Sequence, residues 1–319
     1  MASQRELTLL EAMKRFSTEE SAREFLEKLR WPSGPVCPHC DNGDQSRIYT
    51  IAANAESKVR AGLYKCGDCR EQFTVTVGTV FESSHIPLNK WLIAFYMMCA
   101  SKTQVSALQL QRQLEIGSYR TAWFMCHRIR FALSEDTDGD LLDGTVEADE
   151  TWIGGVAHRH GDKGILENKT PVVSLVERDG RVRSQVVSKV NGSEITKILK
   201  EHVASTARLN TDDSGVYAEA STLFVSHDRV NHSIKEYARH DATTGRLATT
   251  NAVEGFFGNS KRSIDGTHHN ISRKHLPLYF AELDYKYNTR KTTDGQRTID
   301  GLKTIEGKRL TLKARKSST

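Results

Sequence analysis

The sequence predicts a multidomain protein of mixed α+β and α/β architecture, and three observations predict it. The chain has 319 residues, whereas domains usually contain about 100–200, so one core would not hold it. Four of the six cysteines form two close pairs, which is typical of a small metal-stapled module. After an acidic, glycine-bearing linker at 134–144, β-rich runs alternate with helical ones, as in an α/β domain.

Composition excludes a membrane protein and points to a polyanionic partner. The apolar content of 38% and the charged content of 27% are those of an ordinary soluble protein. The longest apolar run, Trp91 to Ala100, is too short to cross a bilayer, and we expect no signal peptide. From Arg290 onward nine Lys and Arg stand against three Asp and Glu. We expect this basic tail, residues 291–319, to be poorly ordered or to fold on a partner.

Two short helices and a zinc ribbon are predicted for the first part of the chain. Residues 1–34 show helical apolar spacing on either side of a break at Ser17, and they end at a Pro- and Gly-rich stretch. In residues 35–82, two Cys-x-x-Cys pairs lie among strand-like runs: Cys37 and Cys40, and Cys66 and Cys69. Four thiolates predict one tetrahedral zinc site with no open coordination position, and so a structural one. This interpretation is favoured over a redox-active cysteine pair and over disulfides. His39 is predicted to be a surface residue.

Residues 83–135 predict a three-helix unit that resembles a helix-turn-helix. The three helical runs are Leu88 to Ala100, Ser106 to Leu114 and Tyr119 to Leu133, with a turn at Ile116-Gly117 and a Ser118 N-cap. Arg120 and Arg128 on the last helix are the predicted DNA contacts. The alternative is a packing unit without DNA contacts. Cys99 and Cys126 have apolar neighbours and are predicted to be buried core thiols.

Residues 143–290 predict an α/β domain with strand-like and helical runs in alternation. The strands are expected at Thr145–Thr151, Val172–Arg178, Val182–Val187, Arg208–Thr211 and Leu223–Ser226, with helices at Glu194–Thr206, at Val216–Ser221 and around Glu254. Asp179-Gly180 between two β-rich runs is a hairpin signal. This succession is typical of a ribonuclease-H-like domain.

Acidic residues at three separate places suggest a polynucleotidyl-transfer site. Asn251 and Glu254 are three residues apart and Lys261 is seven beyond Glu254, so the three side chains share one face of a helix. One carboxylate does not hold a catalytic metal. Asp149 and Asp212 each follow a strand-like segment and could supply the others.

These residues resemble the DDE-type transposases of bacterial insertion sequences, in particular their zinc-ribbon-bearing, ISXO-two-like group. The similar features are an Asp-Glu-Thr-Trp-Ile-Gly-Gly box from Asp149, a Thr-Asp pair five residues before Tyr217, and an ordered C-terminal succession of motifs. That succession is Thr-Asn-x-x-Glu, Lys-Arg, Lys-His-Leu and Tyr-Asn-x-Arg. The resemblance runs from the N-terminal region to about Arg290.

The resemblance implies a DNA transposase that binds terminal inverted repeats and catalyses metal-dependent cleavage and strand transfer. It implies Asp149, Asp212 and Glu254 as ligands of two Mg²⁺ or Mn²⁺ ions, since oxygen-only ligation favours these metals. It also implies phosphate or DNA contacts by Lys261, Arg262, Lys274 and Arg290. Such enzymes act on double-stranded inverted repeats and target DNA as homo-oligomers, in the cytoplasm and at the nucleoid.

Several alternatives stay open on the sequence. Glu147 and Glu150 compete with Asp149, and Asp213 competes with Asp212. Asn251 competes with Glu254 as the third catalytic residue. Glu254 is favoured because its spacing to Lys261 matches the usual DDE interval and a charged ligand neutralises metal better, which would leave Asn251 to cap the helix.

The functional alternatives are a catalytically inactive DNA-binding regulator and a ribonuclease-H-like nuclease or resolvase. His268, His269 and His275 are favoured as packing or phosphate-contacting groups over metal ligands.

Overall fold

The computed structural model describes residues 7–57, 59–135, 140–154, 169–240 and 245–311, and these segments form two compact units. The predicted features at residues 1–6, at Gly155 and at 312–319 lie outside the described residues. The helices of the described segments are α1 (Leu9–Arg15), α2 (Glu19–Arg30), α3 (Leu88–Ala100), α4 (Ala107–Gln113), α5 (Tyr119–Ala132), α6 (Gly192–His202), α7 (Asn251–Thr267), α8 (Leu276–Asn288) and α9 (Asp294–Lys303). The strands are β1 (Ile48–Ile51), β2 (Leu63–Cys66), β3 (Gln72–Phe73), β4 (Thr145–Ile153), β5 (Thr170–Glu177), β6 (Val182–Val186), β7 (Arg208–Asp212), β8 (Ser226–Val230), β9 (Ala238–His240) and β10 (Leu247–Thr249).

The first unit, residues 1–133 with 292–319, begins with the two expected short helices. Thr8 and Thr18 cap α1 and α2 by accepting hydrogen bonds from Glu11 N and Ser21 N, so the helix break lies where the sequence predicts it. Strands β1, β2 and β3 follow as one antiparallel sheet beside the cysteine pairs.

Helices α3, α4 and α5 occupy the three segments predicted for the three-helix unit. Ser106 and Ser118 cap α4 and α5. The turn between them differs from the expectation, because Glu115 rather than Gly117 adopts a left-handed backbone, with φ of 50°. The N–H of Ile116 donates to the carbonyl of Gln111 at 2.9 Å, which closes the helix end in the usual Schellman manner.

The expectation of a poorly ordered basic tail was wrong for residues 294–303, which form α9 within the first unit. Thr293 caps the helix, and Leu302 and Ile305 are almost completely buried. The Thr304 hydroxyl and Lys308 Nζ both donate to the carbonyl of Ala132, at 2.7 and 3.0 Å. The expectation was based on the positive charge of this segment, whereas burial of Leu302 and Ile305 decides the structure.

The second unit, residues 134–291, is built on a five-stranded sheet in the order β6-β5-β4-β7-β8. Strands β4, β5 and β6 pair antiparallel, whereas β7 and β8 run parallel to β4. Asp179, with φ of 61°, makes the predicted turn between β5 and β6. The last strand begins later than predicted, at Ser226, and Gly215–Thr222 is a 3-10 helix.

Each face of this sheet is covered by helices. On one face, Ala148 and Leu209 pack with Leu199 of α6. On the other face, Val172 of β5 packs with Phe256 of α7 and Phe280 of α8. Side chains alternate between the faces along a strand, so the second face also receives the odd-numbered residues of β4.

Candidate active site

Two of the predicted acids lie on adjacent parallel strands of this sheet. The pairing of β4 with β7 ends at Glu147 and Asn210, and Asp149 and Asp212 each lie two residues further along their strand, on the same face of the sheet. Asp149 lies within β4, and Asp212 is the last residue of β7. The Asp212 carboxylate accepts a hydrogen bond from Ser214 N at 3.0 Å, which orients it at the end of the strand.

Electrostatics shows that the acids from three segments share one environment. Burial, together with the negative charges of Glu150, Asp212 and Glu254, raises the pKa of Asp149 to about 7, against a hydrogen bond from Glu150 N that lowers it. Carboxylates that repel one another in a partly buried site are the groups that a divalent cation would stabilise. The oxygen-only donor set fits Mg²⁺ or Mn²⁺.

The rivals of Asp149 and Asp212 have other contacts. Glu150 accepts a hydrogen bond from the hydroxyl of Tyr217 at 2.7 Å, and burial raises its pKa. Asp213 is exposed and accepts from Asn231 Nδ2 at 3.1 Å. These contacts favour Asp149 and Asp212, although the catalytic assignment stays a prediction.

The Glu254 carboxylate is held by two neighbours. Thr250 donates its hydroxyl hydrogen to Glu254 Oε1 at 2.9 Å, and His232 Nε2 lies 3.1 Å from the same oxygen. His232 also lies 3.1 Å from Thr250 Oγ1, so the three side chains form a closed triangle. The sequence interpretation missed His232, since nothing in its local pattern connects it to a helix that begins nineteen residues later.

Asn251 does not cap α7, contrary to the expectation. It is the first helical residue, Thr250 occupies the cap position, and no side chain of the cap residue bonds the helix backbone. The Asn251 side chain is exposed, and its backbone N–H donates to Thr249 Oγ1 at 3.1 Å.

Instead, the free backbone N–H groups at the start of α7 donate hydrogen bonds to a buried carboxylate from the sheet. Glu147 Oε2 accepts hydrogen bonds from Ala252 N at 2.7 Å and Val253 N at 3.3 Å. Its other oxygen, Oε1, accepts from Arg178 Nη2 at 2.9 Å, and only 1% of Glu147 is exposed. A carboxylate at a helix N-terminus is stabilised by the free N–H groups and the helix dipole. Glu147 therefore joins the strand of Asp149 to the helix of Glu254, a positioning role that the sequence interpretation missed.

The predicted phosphate-binding cations differ in their availability. Lys261 and Lys274 are exposed, and Lys261 lies two helical turns beyond Glu254. Arg262 is exposed and donates to Asn259 Oδ1 at 2.6 Å. Arg290 instead donates to the carbonyls of Gly180 and Tyr287, both at 2.8 Å. Its guanidinium therefore ties the end of α8 to the β5–β6 turn.

The two arginines of α5 that were predicted to contact DNA differ in their exposure to solvent. Arg120 is exposed in the first turn of α5. Arg128 is 5% exposed, donates to the carbonyl of Glu82 and packs 5.3 Å from the centre of the Trp91 ring. Burial lowers its pKa to about 10. This placement corrects the prediction of a DNA contact by Arg128, because its guanidinium stabilises the core of the first unit.

The four cysteines of the two pairs converge on one point. The Sγ atoms of Cys37, Cys40, Cys66 and Cys69 all lie within 4.8 Å of one another. Two of the separations are 3.6 and 3.7 Å, close to the roughly 3.8 Å expected between sulfurs around tetrahedral zinc. Backbone N–H groups, first that of Cys69, lower the pKa of Cys66 to about 6, whereas burial raises the pKa of Cys37 to about 12. Bound zinc would stabilise the Cys37 thiolate against this burial.

Within the described segments, these four cysteines are the one group of three or more metal-binding side chains already close enough to share an ion. The three carboxylates are coupled electrostatically, but Glu254 is turned toward His232 and Thr250. No helix among the residues described is long and apolar enough to span a membrane.

Comparisons with known proteins match the two regions of the chain that contain these residues. Residues 141–288 match a family model described as the ISXO2-like transposase domain, and residues 17–72 match one described as a transposase zinc-ribbon domain. An "uncharacterized protein in transposable element ISH50" of Halobacterium salinarum is 27% identical over 297 residues, covering 86% of this chain and 92% of that protein.

A chain of a simian T-cell lymphotropic virus intasome, solved with the PP2A regulatory subunit B56 gamma, is 14% identical with a TM-score of 0.27. The alignment covers 60% of this chain and 64% of that chain, which is less than two thirds of its length. A likeness at this TM-score is too weak to establish a shared fold. The two domain matches together identify an ISXO2-like transposase domain and a transposase zinc-ribbon domain in one chain.

Proposed function

We propose that this chain is the DNA transposase of its insertion sequence, and that Asp149, Asp212 and Glu254 form its catalytic acid set. The observation that supports this most directly is the placement of Asp149 and Asp212 on the adjacent parallel strands β4 and β7, with Glu254 of α7 near enough for its charge to raise the pKa of Asp149. We further propose that the second unit has a ribonuclease-H-like fold. Three antiparallel strands followed by two parallel ones, with helices on both faces, support that proposal.

The residues of the chain suit phosphodiester cleavage and transfer. When bound to the carboxylates, Mg²⁺ would polarise the phosphate and stabilise charge on the attacking and leaving oxygens. Asp149 and Asp212 present their carboxylates from a rigid sheet, and Glu147 holds the helix that carries Glu254. Lys261 on the same helix supplies a positive charge for the DNA backbone.

DNA recognition is assigned to the first unit. The zinc ribbon and the helices α3 to α5 would bind the terminal inverted repeats, with exposed Arg120 at the start of α5 as the proposed contact. Pairing of two element ends would require at least two copies of the chain. We propose a homo-oligomer acting on double-stranded DNA at the nucleoid.

The test is strand transfer of oligonucleotides that carry the element's ends, with Mg²⁺ and purified full-length protein. Asp149→Ala, Asp212→Ala and Glu254→Gln should each lose at least about a hundredfold in joined product, since even outer-shell changes cost 10–100-fold. The neighbour Asp213→Ala is the matched control for Asp212→Ala and should retain activity.

Other outcomes select the alternatives. If Glu254→Gln keeps strand-transfer activity and Asn251→Ala loses it, the third catalytic residue is Asn251. Cleavage without joining would indicate a nuclease or resolvase, and end binding without cleavage in the wild type would indicate a regulator.

A further inference from the structure

A cavity in the second unit, on the same face of the sheet as the acids, is lined by three arginines. Arg178, Arg208 and Arg246 surround a space of about 180 Å³ together with Thr145, Asn210 and Asp228. One water occupies roughly 30 Å³ in the liquid, so a hydrated phosphate group fits this space.

The cavity has a defined position relative to the acids. Thr145 and Arg208 are paired at the beginning of β4 and β7, and Asp149 and Asp212 lie four residues further along the same strands. Side chains four residues apart on a strand share one face and are separated by about 13 Å. That distance is well below one turn of B-DNA, roughly 34 Å, so one duplex can reach both places.

The charges around the cavity are only partly neutralised. Arg178 is paired with the buried Glu147 at 2.9 Å. Arg208 and Arg246 have no ion-pair partner in the described part of the chain, and Asp228 is the one carboxylate in the lining. Two unpaired guanidiniums against one carboxylate leave the cavity positive, which suits an anion with several acceptor oxygens.

The segment that leads into α7 contacts both the cavity and the third acid. Leu247 lines the cavity, and its carbonyl accepts from Arg178 Nη1 at 3.1 Å. Thr250, three residues later, bonds Glu254. A group bound in the cavity would therefore rest against the segment that positions the third acid.

We propose that this cavity binds a backbone phosphate of the DNA substrate through Arg208 and Arg246. The proposal rests on the proposed function, since it takes DNA as the substrate. Guanidiniums bind phosphate oxygens through paired N–H groups, and Thr145 can add a hydroxyl donor. The contact is independent of base sequence, so it fixes the position of the duplex rather than its identity.

The experiment measures affinity of the full-length protein for a duplex of about 40 base pairs against salt concentration, with Ca²⁺ in place of Mg²⁺ so that no cleavage intervenes. Each phosphate contact contributes about 0.9 to the slope of log K against log salt. Because the two arginines are proposed to bind one phosphate, the Arg208→Ala, Arg246→Ala double variant should lower the slope by about 0.9. Arg178 is left intact because it also holds Glu147.

Lys197→Ala and Lys200→Ala, combined, form the matched control. They remove the same charge from α6, which covers the opposite face of the sheet, and should leave the slope unchanged. Asp228→Asn removes the opposing carboxylate and should strengthen binding several-fold at low salt. The thermal unfolding midpoint of each variant verifies that it is folded.

Two results would overturn the proposal in distinguishable ways. If the wild type binds DNA and the arginine variant keeps the wild-type slope, the cavity is not a phosphate site while the proposed function stands. If the wild type does not bind DNA at all, the proposed function fails and the phosphate site fails with it.

Discussion

The two candidate metal-binding regions of this protein differ in how far the chain has assembled them. In the zinc ribbon, four sulfurs already lie within 4.8 Å of one another. In the second unit, the acids influence one another, but the Glu254 carboxylate is bound to His232 and Thr250. The first site is built from two short knuckles, and the second from two strands and a distant helix. The four cysteines are thus already gathered for a metal, whereas the Glu254 carboxylate of the proposed catalytic site is bonded to protein side chains.

The largest expected effect comes from breaking the preassembled site. Cys66→Ala should remove zinc and unfold the ribbon around residues 37–73, because metal binding supplies about 10–16 kcal/mol in small zinc domains. Hydrogen exchange at these residues measures the loss. His39→Ala, an exposed change inside the same knuckle, is the control. If the amides of the ribbon stay equally protected from hydrogen exchange in Cys66→Ala, the folding of the ribbon does not depend on its metal.

The second effect concerns the carboxylate that joins the two halves of the acid site. Glu147→Ala leaves the first N–H groups of α7 unsatisfied and should destabilise the second unit by about 1–3 kcal/mol. Strand transfer should fall more than DNA binding, since Glu147 positions Glu254 and does not itself contact the substrate. Glu147→Gln keeps an acceptor oxygen, so it should recover part of the lost stability and part of the lost strand transfer.

Glu194 provides the matched control for that prediction, because it also lies in the first turn of a helix but is not buried. Glu194→Ala should change neither measurement appreciably. Equal loss of DNA binding and strand transfer in Glu147→Ala would instead indicate general unfolding rather than displacement of α7.

A smaller effect should follow from freeing Glu254. His232→Ala removes one partner of the carboxylate, so the Mg²⁺ concentration for half-maximal strand transfer should fall, by about fivefold or less for one hydrogen bond. His240→Ala, on the exposed strand β9, is the control. A higher Mg²⁺ requirement in His232→Ala would show that the histidine supports the metal-binding conformation.

The smallest effect concerns an acid outside both sites. Burial raises the pKa of Asp284 to about 8, against hydrogen bonds from Ser184 N and Ser184 Oγ. Between pH of about 4 and 8 the folded protein therefore keeps a proton that the unfolded chain releases, so stability falls as pH rises. Asp284→Asn should flatten this decline, which the thermal unfolding midpoint measured from pH of about 4 to 8 would register. The exposed Asp265→Asn should leave the decline as in the wild type.

Much of the fold could be predicted from local pattern. The two cysteine pairs, the capped helices α1 and α2, the strands β4 to β7 and the turn at Asp179 depend on spacing and turn chemistry within a few residues. The acids could be located because they follow strands or share a helix face. Their catalytic roles stay predictions, since the order of motifs indicates chemistry and does not demonstrate it.

The misses share a physical cause. Arg128 has the charge of a DNA contact, but its position on α5 faces Trp91 and the carbonyl of Glu82. Asn251 has the side chain of a helix cap, but Glu147, more than one hundred residues earlier, satisfies the helix start. In both cases a partner far away in sequence decides what the side chain does.

The sequence alone determined the parts of this protein whose causes are local: the zinc-binding pairs, the order of the modules and the candidate acids on β4, β7 and α7. Tertiary structure decided which carboxylate anchors α7, which partner holds Glu254, and that α9 packs with the first unit. These outcomes depend on burial and on contacts between distant segments, whose free energies appear only when the chain has folded.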